Sequence, residues 1–351
     1  MRRAAAATLA VLALLAPALT GGCGGDDEDT PPADPAAAAA DRFLDRYLDG
    51  DGRVVRRDQG GDTVSEGQAY ALLLTALTGD EARFDRAWAW TREHLQRPDG
   101  LLAWRWQDGR VADPQPAADA DLDTARALAV AGSRFARPEL RGEAARIARA
   151  ILAQETVHGR LVAGPWARAT RTVNPSYASP AAEATLAGLG DRAAWDRLRR
   201  TGIDTARLLG DDRALPPDWA RIGEDGAVAA SGPPADPGAT PVYGYDAVRL
   251  AVRMAEACDG DARAAAAQLW PVLRDGDPAI LPRERDGRGA AGAVRSAVAL
   301  VGAAAAAHAA GDAAARDRLL GEAEALDAAS PTYYGAAWIA LGRVLLARPC
   351  S

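Results

Sequence analysis

The chain has 351 residues, 48 of them acidic and 41 basic, and its net charge is −7. This acidic balance argues against a nucleic acid as partner, because phosphate binding requires a basic surface. The three histidines, His94, His158 and His308, are isolated and lack metal-ligand spacing. We therefore expect neither a metal nor a cofactor.

The N-terminal segment has the pattern of an export signal. Two arginines precede an apolar stretch at 4–19 that is too short to span a bilayer comfortably. Small residues then precede Cys23, as in a bacterial lipoprotein signal in which this cysteine is lipidated. Ordinary secretion is the alternative, so the protein is expected to be exported and either lipid-anchored in the membrane or secreted. The predicted divisions are a signal peptide at 1–22, a flexible acidic and proline-rich tether at 23–36, and one catalytic domain at 37–351.

Helical periodicity dominates the chain from residue 37 onward. Short Gly-Asp turns join most of the helices in pairs, and no strand-rich block interrupts them. Twelve helices in six hairpins predict an all-α fold, a closed α/α toroid, with an open solenoid as the lesser alternative. The predicted helices are 38–48, 65–78, 81–95, 119–133, 138–154, 180–189, 193–209, 245–258, 262–273, 290–310, 313–325 and 332–346.

Every second helix of such a ring points the same way, so the starts of the even-numbered helices collect on one rim. Acids, tyrosines and two long irregular segments, 159–177 and 211–242, occur at those starts. Ser65 is the expected N-cap of the second helix. The polar helix starts are 65–66, 119–121, 174–177, 243–246, 288–295 and 333–334, and we predict a functional site where they converge.

Several carboxylates together with aromatic side chains favour hydrolysis of a sugar chain. That reaction requires one carboxylic acid to protonate the leaving oxygen and a second carboxylate to activate water or to attack the sugar. Nine tryptophans against three phenylalanines suit carbohydrate stacking, although tryptophan in a helical toroid is more often a core residue. Trp104, Trp106 and Trp166 are the preferred stacking candidates because they lie in loops.

Five motifs in order resemble glycoside hydrolase family 8, the inverting endo-acting β-glycanases with an α/α-toroid fold. The resemblance runs from about residue 43 to 346. Ala118 and Thr124 depart from the family signature without removing a carboxylate. The motifs are S-E-G-Q-A-Y at 65–70, F-D-R-A-W-A-W-T at 84–91 followed by D-G-L-L-A-W-R-W at 99–106, A-A-D-A-D at 117–121, N-P-S-Y at 174–177 and Y-G-Y-D-A-V-R at 243–249.

The resemblance implies a role for each matching residue. Glu66 corresponds to the general acid and Asp246 to the general base, and Asp119 to the carboxylate that contacts the sugar ring being cleaved. Tyr177 corresponds to a tyrosine near the attacking water. Arg249 is a neighbour that orients Asp246, and Tyr245 belongs to the same substrate-binding segment.

The implied function is hydrolysis of internal β-1,4 bonds in a polysaccharide, with cellulose-like β-glucan as the default substrate and inversion at the anomeric carbon. Chitosan and xylan remain open as substrates. The alternative is a non-catalytic glycan-binding or exopolysaccharide-assembly protein on the same fold. We expect a monomer whose partner is the polysaccharide.

Two smaller questions stay open. Cys258 and Cys350 could form a disulfide in an exported protein, or both could be ordinary small residues. Asp121 and Asp123 share the acidic helix start with Asp119, and compensation of the helix dipole is the simpler interpretation of both. Asp121 could also fix Asp119 or touch the substrate.

Overall fold

The structure is a computed structural model that describes residues 34–348. Thirteen α-helices make up most of this part of the chain, together with short 3₁₀ helices at Pro165–Ala167 and Pro175–Tyr177. The α-helices are α1 (Pro35–Tyr47), α2 (Ser65–Thr78), α3 (Glu81–His94), α4 (Ala118–Arg134), α5 (Pro138–Gln154), α6 (Pro180–Ala187), α7 (Arg192–Leu209), α8 (Val248–Ala255), α9 (Gly260–Ala267), α10 (Trp270–Asp275), α11 (Ala297–Ala309), α12 (Ala313–Ala329) and α13 (Tyr333–Leu346).

The helices form two concentric layers in a closed ring. In the inner layer α2 packs against α4, α4 against α6, α6 against α8, α8 against α11 and α11 against α13. Helix α13 returns to α2 and closes the ring, while α1, α3, α5, α7, α9 and α12 pack outside. The predicted α/α toroid is therefore confirmed, and the open solenoid is wrong.

Burial explains which helices lie inside. All but two residues of α2 are buried, and α11 is buried along nearly its whole length. Outer helix α7 instead buries one stripe of residues, as an amphipathic surface helix does. Small side chains let the inner helices approach closely: a Cβ on Gly302 of α11 would lie 2.4 Å from a methyl carbon of Val248 in α8.

One predicted helix is divided into two in the structure. The pattern at 262–273 predicts a single helix, whereas α9 ends at Ala267 and α10 begins at Trp270. Pro271 lies in the first turn of α10, where its missing amide hydrogen costs little. Within a continuous helix the same proline would remove a hydrogen bond, so the chain restarts there.

Within residues 34–348 the connections contain ten short strands, and none of them forms a strand-rich block between the helices. All four sheets are antiparallel, and the two long irregular segments meet in one of them, with order β6-β7-β8. The strands are β1 (Thr63–Val64), β2 (Arg105–Gln107), β3 (Arg110–Asp113), β4 (Thr156–Val157), β5 (Arg160–Leu161), β6 (Thr172–Val173), β7 (Trp219–Ile222), β8 (Val228–Ser231), β9 (Ile280–Arg283) and β10 (Gly289–Arg295).

The predicted helix at 290–310 is wrong at its start. Residues Gly289–Arg295 form β10, which pairs with β9 through an irregular register, and α11 begins only at Ala297. Alanines gave this stretch a helical appearance. Gly292, with φ of 77°, has a left-handed conformation that interrupts a right-handed helix.

No helix within residues 34–348 is long and apolar enough to cross a bilayer. The predicted signal peptide and Cys23 lie outside the described residues, as does nearly all of the tether, and they stay predictions. Cys258 takes part in a disulfide bond. Cys350, whose pairing with Cys258 the sequence left open, lies outside the described residues.

Candidate active site

Glu66 lies in the first turn of α2, directly after β1. The N-cap is Val64, and the prediction of Ser65 as cap is wrong because the strand runs straight into the helix. Ser65 is fully buried, and its backbone amide donates to the carbonyl of Trp104 at 2.8 Å. The Trp104 indole Nε1 donates to Glu66 Oε2 at 3.0 Å, so Trp104 contacts both Ser65 and Glu66.

Arg249 joins the other two predicted carboxylates. Its Nη1 donates to Asp119 Oδ2 at 2.9 Å, and its Nη2 donates to Asp246 Oδ1 at 2.6 Å. Asp119 is in the first turn of α4, whereas Asp246 and Arg249 flank the start of α8. One guanidinium therefore fixes carboxylates from two inner helices relative to each other.

Tyr177 completes this group of side chains. Its ring lies beneath the Arg249 guanidinium, with 5.2 Å from the guanidinium carbon to the ring centroid. Asn174 caps the short 3₁₀ helix that carries the tyrosine, with its side-chain oxygen accepting from the Ser176 amide. The predicted start of a longer helix at this position is instead one 3₁₀ turn.

Electrostatics favour a proton on Glu66. Burial raises the pKa of Glu66, and Asp246 adds to the rise, although Arg249 opposes it. Burial, together with the charge of Glu66, raises the pKa of Asp119 to about 8 against the opposing effect of Arg249. Of Glu66 and Asp119, only Asp119 forms a direct ion pair with Arg249 among the described residues, so of these two coupled acids Glu66 holds the proton more readily.

Asp218 is a site residue that sequence reasoning missed. Its Oδ1 accepts from the amides of Gly244 at 2.9 Å and Ala247 at 2.7 Å, on either side of Asp246. A Cβ on Gly244 would lie 2.2 Å from Asp218 Oδ2, so this close approach requires glycine. Asp218 lies in a long irregular loop with no motif of its own, and only the glycine of Y-G-Y-D hinted at a close neighbour.

The aromatic candidates occupy different surroundings. Trp104 contacts Glu66, whereas Trp106 packs against Trp90 with ring centroids 5.5 Å apart and has Arg53 over its ring. Trp166 is 41% exposed, and its Nε1 donates to the carbonyl of Pro116, just before α4. The structure thus brings Trp104 to the carboxylates, and Trp166 to the edge of the same rim.

A cavity of about 570 Å³ opens beside Glu66. Tyr245, which is 44% exposed, lines it together with Tyr334, whose hydroxyl donates to the Tyr245 carbonyl at 2.9 Å. The starts of α11 and α13 also contribute to this wall. A ligand in this cavity would lie beside the aromatic rings of these tyrosines and the carboxyl group of Glu66.

Comparisons with known proteins agree with this geometry. The family model "Glycosyl hydrolases family 8" matches residues 32–346. The chain belongs to glycosyl hydrolase family 8. A probable endoglucanase of Novacetimonas hansenii is 35% identical over 244 residues, which is 62% of this chain and 67% of the relative. An endoglucanase of Xanthomonas axonopodis pv. citri is 32% identical over 234 residues, 59% of this chain and 57% of that protein.

A solved structure supports the same assignment. The endo-beta-1,4-glucanase of Acetobacter xylinum superposes with a TM-score of 0.74 at 27% identity, covering 89% of this chain and 98% of that one. This family 8 protein is therefore a glycoside hydrolase on an α/α toroid.

Trp104→Phe removes the only indole donor that contacts Glu66 in the described part of this enzyme. An N–H donor stabilises the carboxylate, so its loss should raise the pKa of Glu66 and move the alkaline limb of kcat to higher pH. The variant should also lower kcat by about 10-fold, since one hydrogen bond to the carboxylate that forms on Glu66 is lost. A pH–rate profile beside Trp270→Phe, a buried tryptophan at the start of α10, checks both effects. An unchanged alkaline limb contradicts this role.

Asp218→Asn tests the turn that carries Asp246. Burial, together with the charge of Asp246, raises the pKa of Asp218 from 3.8 to about 6. The folded state therefore binds this proton more tightly than the unfolded chain does. That contribution to stability is present below about pH 4 and is lost as the pH rises through about 6.

Asparagine keeps the Oδ1 acceptor and does not titrate. Between about pH 4 and 7 the free energy of unfolding of the wild type should fall as this proton is lost. We expect the fall to be smaller in Asp218→Asn by on the order of 2 kcal/mol. Urea unfolding at both pH values measures the difference. Asp225→Asn is the matched control, because exposed Asp225 also accepts a backbone amide, that of Ala227. Equal pH dependence in Asp218→Asn and the wild type would contradict the assignment.

Proposed function

We propose that this enzyme cleaves internal β-1,4 bonds of a cellulose-like β-glucan by single displacement with inversion. The observation that carries the proposal is the Arg249 bridge between Asp119 and Asp246, beside a partly buried Glu66 whose pKa is raised. An endo-beta-1,4-glucanase that this chain covers almost completely, and relatives named endoglucanase, support the substrate class.

In the proposed reaction Glu66 donates its proton to the glycosidic oxygen as the bond to the anomeric carbon breaks. The Trp104 N–H stabilises the carboxylate that forms on Glu66. Asp246 takes a proton from a water molecule, whose oxygen attacks the anomeric carbon from the opposite face. The product is the α-anomer of a β-linked chain, and a proton passes from Asp246 to Glu66 through solvent before the next cycle.

Asp246 and Asp119 differ in exposure, which suits them to different roles. The side chain of Asp246 is 32% exposed, so water reaches it, whereas that of Asp119 is 8% exposed. Arg249 donates to Asp246 Oδ1 and fixes the direction of this carboxyl group, as a general base requires. Asp119, held by the same guanidinium, is the carboxylate proposed to contact the sugar ring in the site.

The test is a panel of polymers: carboxymethyl-cellulose, mixed-linkage β-glucan, chitosan and xylan. We expect reducing ends to appear on the two glucans together with a rapid fall in viscosity, which marks internal cleavage. Proton NMR of the first product should show the α-anomer. Cleavage of chitosan or xylan alone would overturn the substrate class, and a β-anomer would overturn inversion. Binding without cleavage would favour the glycan-binding alternative.

A further inference from the structure

A buried pair of acids lies behind the site and takes no part in the proposed reaction. Asp121 and Glu155 are both fully buried, and their carboxyl groups are within hydrogen-bonding reach of each other. Asp121 Oδ1 accepts the Leu102 amide at 2.7 Å. Neither oxygen of Glu155 receives a hydrogen bond from an N–H or hydroxyl donor within residues 34–348.

Two ionised carboxylates cannot hydrogen-bond to each other, because both only accept. No arginine of residues 34–348 forms an ion pair with either group, and the charged neighbours that face them are the acids Asp99 and Asp119. The pair therefore holds a proton. Because the Leu102 amide stabilises the anion of Asp121, the proton belongs on Glu155, which donates to Asp121.

This pair connects to both halves of the catalytic group. Asp121 is two residues after Asp119 in the same helical turn, and it fixes Leu102, two residues before Trp104. Trp104 in turn contacts the Ser65 amide and the Glu66 carboxyl. Any shift of Asp121 would therefore move the strap formed by residues 102–104 relative to α4.

The backbone near Glu155 makes a second connection. The Glu155 carbonyl accepts the Val162 amide at 2.8 Å, and the next residue, Ala163, accepts the Ala118 amide at 3.1 Å. Ala118 is the first residue of α4. Glu155 thus supports the start of this helix both through its side chain and through Val162 and Ala163, which follow β5.

We propose that Glu155, as a neutral acid that donates to Asp121, is a positioning residue which holds the Asp119 turn and the Trp104 strap in register with Glu66. Glu155 touches no reacting atom, so its effect is indirect. The inference rests on the proposed function for its kinetic consequences, and on the buried pair alone for its effect on stability.

The kinetic test compares Glu155→Gln with Glu155→Met. Glutamine keeps an N–H donor for Asp121, so kcat should stay within about twofold of wild type. Methionine has similar length but no donor, so kcat should fall about 10-fold at unchanged KM, and the alkaline limb should move to higher pH as in Trp104→Phe. Glu183→Met is the matched control: Glu183 is also buried, its oxygens have no side-chain hydrogen-bond partner within residues 34–348, and the change should leave kcat unchanged.

A double variant separates positioning from general destabilisation. If Glu155 acts through the strap, Trp104→Phe combined with Glu155→Met should lose little more activity than either single variant. Additive losses, or a wild-type pH profile in Glu155→Met, would overturn the proposal.

A stability measurement tests whether the Asp121–Glu155 pair holds a proton, and it does not depend on enzyme activity. It can also be made if Glu155→Met fails to fold. Burial raises the pKa of Glu155 well above its usual range, so the stability this proton contributes is lost as the pH rises toward that value. Glu155→Gln should therefore lose less stability than wild type as the pH rises above 4.5, the ordinary pKa of a glutamate. Equal losses would overturn the assignment of the proton to this pair. A wild type that hydrolyses none of the polymers would overturn the proposed function instead.

Discussion

Glu66→Gln should lower kcat on β-glucan by about 10²–10⁴-fold with little change in KM, because glutamine cannot supply the proton to the leaving oxygen. The amide oxygen of glutamine can still accept from the Trp104 indole, so the fold and the cleft should persist. Reducing-end assays together with the melting temperature measure both quantities. Glu183→Gln, the same change at a buried carboxyl in α6, should leave kcat unchanged.

A substrate with a better leaving group sharpens this result. Dinitrophenolate departs without protonation, so Glu66→Gln should cleave a dinitrophenyl β-cello-oligosaccharide at a rate close to that of the wild type. A defect as large on this substrate as on the polymer would mean that Glu66 binds or orients the sugar rather than donating a proton. A lower melting temperature of Glu66→Gln together with lower activity would indicate a structural role instead.

Most of the helices could be predicted from sequence because apolar periodicity and Gly-Asp turns are local signals. The closed ring followed from the number of hairpins, and the packing of α13 on α2 confirms it. The convergence of helix starts was also predictable. Tyr334 at the start of α13 contacts Tyr245 before α8, and Arg249 contacts Asp119 across the ring.

Other features depended on contacts between distant parts of the chain. Asp218 and Gly244 are 26 residues apart, and nothing near Asp218 marks it as the acceptor for that turn. Glu155 resembles any acid at the end of a helix, and only the folded structure shows that it faces Asp121. Side-chain partnerships of this kind leave no periodic trace in a single sequence.

The local errors have local causes. Ser65 has the chemistry of an N-cap, but pairing of Thr63 and Val64 with β2 carries the chain into the helix one residue earlier and buries the serine. The alanines of β10 favour a helix in isolation, and pairing with β9 outweighs that preference. In both places a neighbouring strand, rather than intrinsic propensity, determined the structure.

The ring architecture explains why the proposed acid and the proposed base can have separate environments. Glu66 is at the start of α2, partly buried and beside an indole, whereas Asp246 lies before α8 with part of its side chain exposed. Arg249 contacts Asp246 and Asp119 directly, and it makes no direct ion pair with Glu66 within the described residues. The same cation therefore fixes the carboxyl groups of Asp246 and Asp119, while the side-chain contact of Glu66 is with Trp104.

Asp246→Asn should lower kcat by about 10²–10⁴-fold, since asparagine cannot take a proton from the attacking water. Asparagine keeps an oxygen that can accept from Arg249, so the bridge to Asp119 should survive and KM should change little. Reducing-end assays on the β-glucan that the wild type cleaves fastest measure the loss. The melting temperature shows whether the variant is folded.

Azide distinguishes loss of a base from other defects, because this anion attacks without first giving up a proton. Added azide should restore turnover of Asp246→Asn and yield an α-glycosyl azide, with the anomeric carbon attacked from the face that water uses in the wild type. Glu66→Gln should gain nothing from azide on the same polymer, since its leaving group still lacks a proton. A β-glycosyl azide, or equal rescue of both variants, would contradict the assignment of Asp246 as the base in a single displacement.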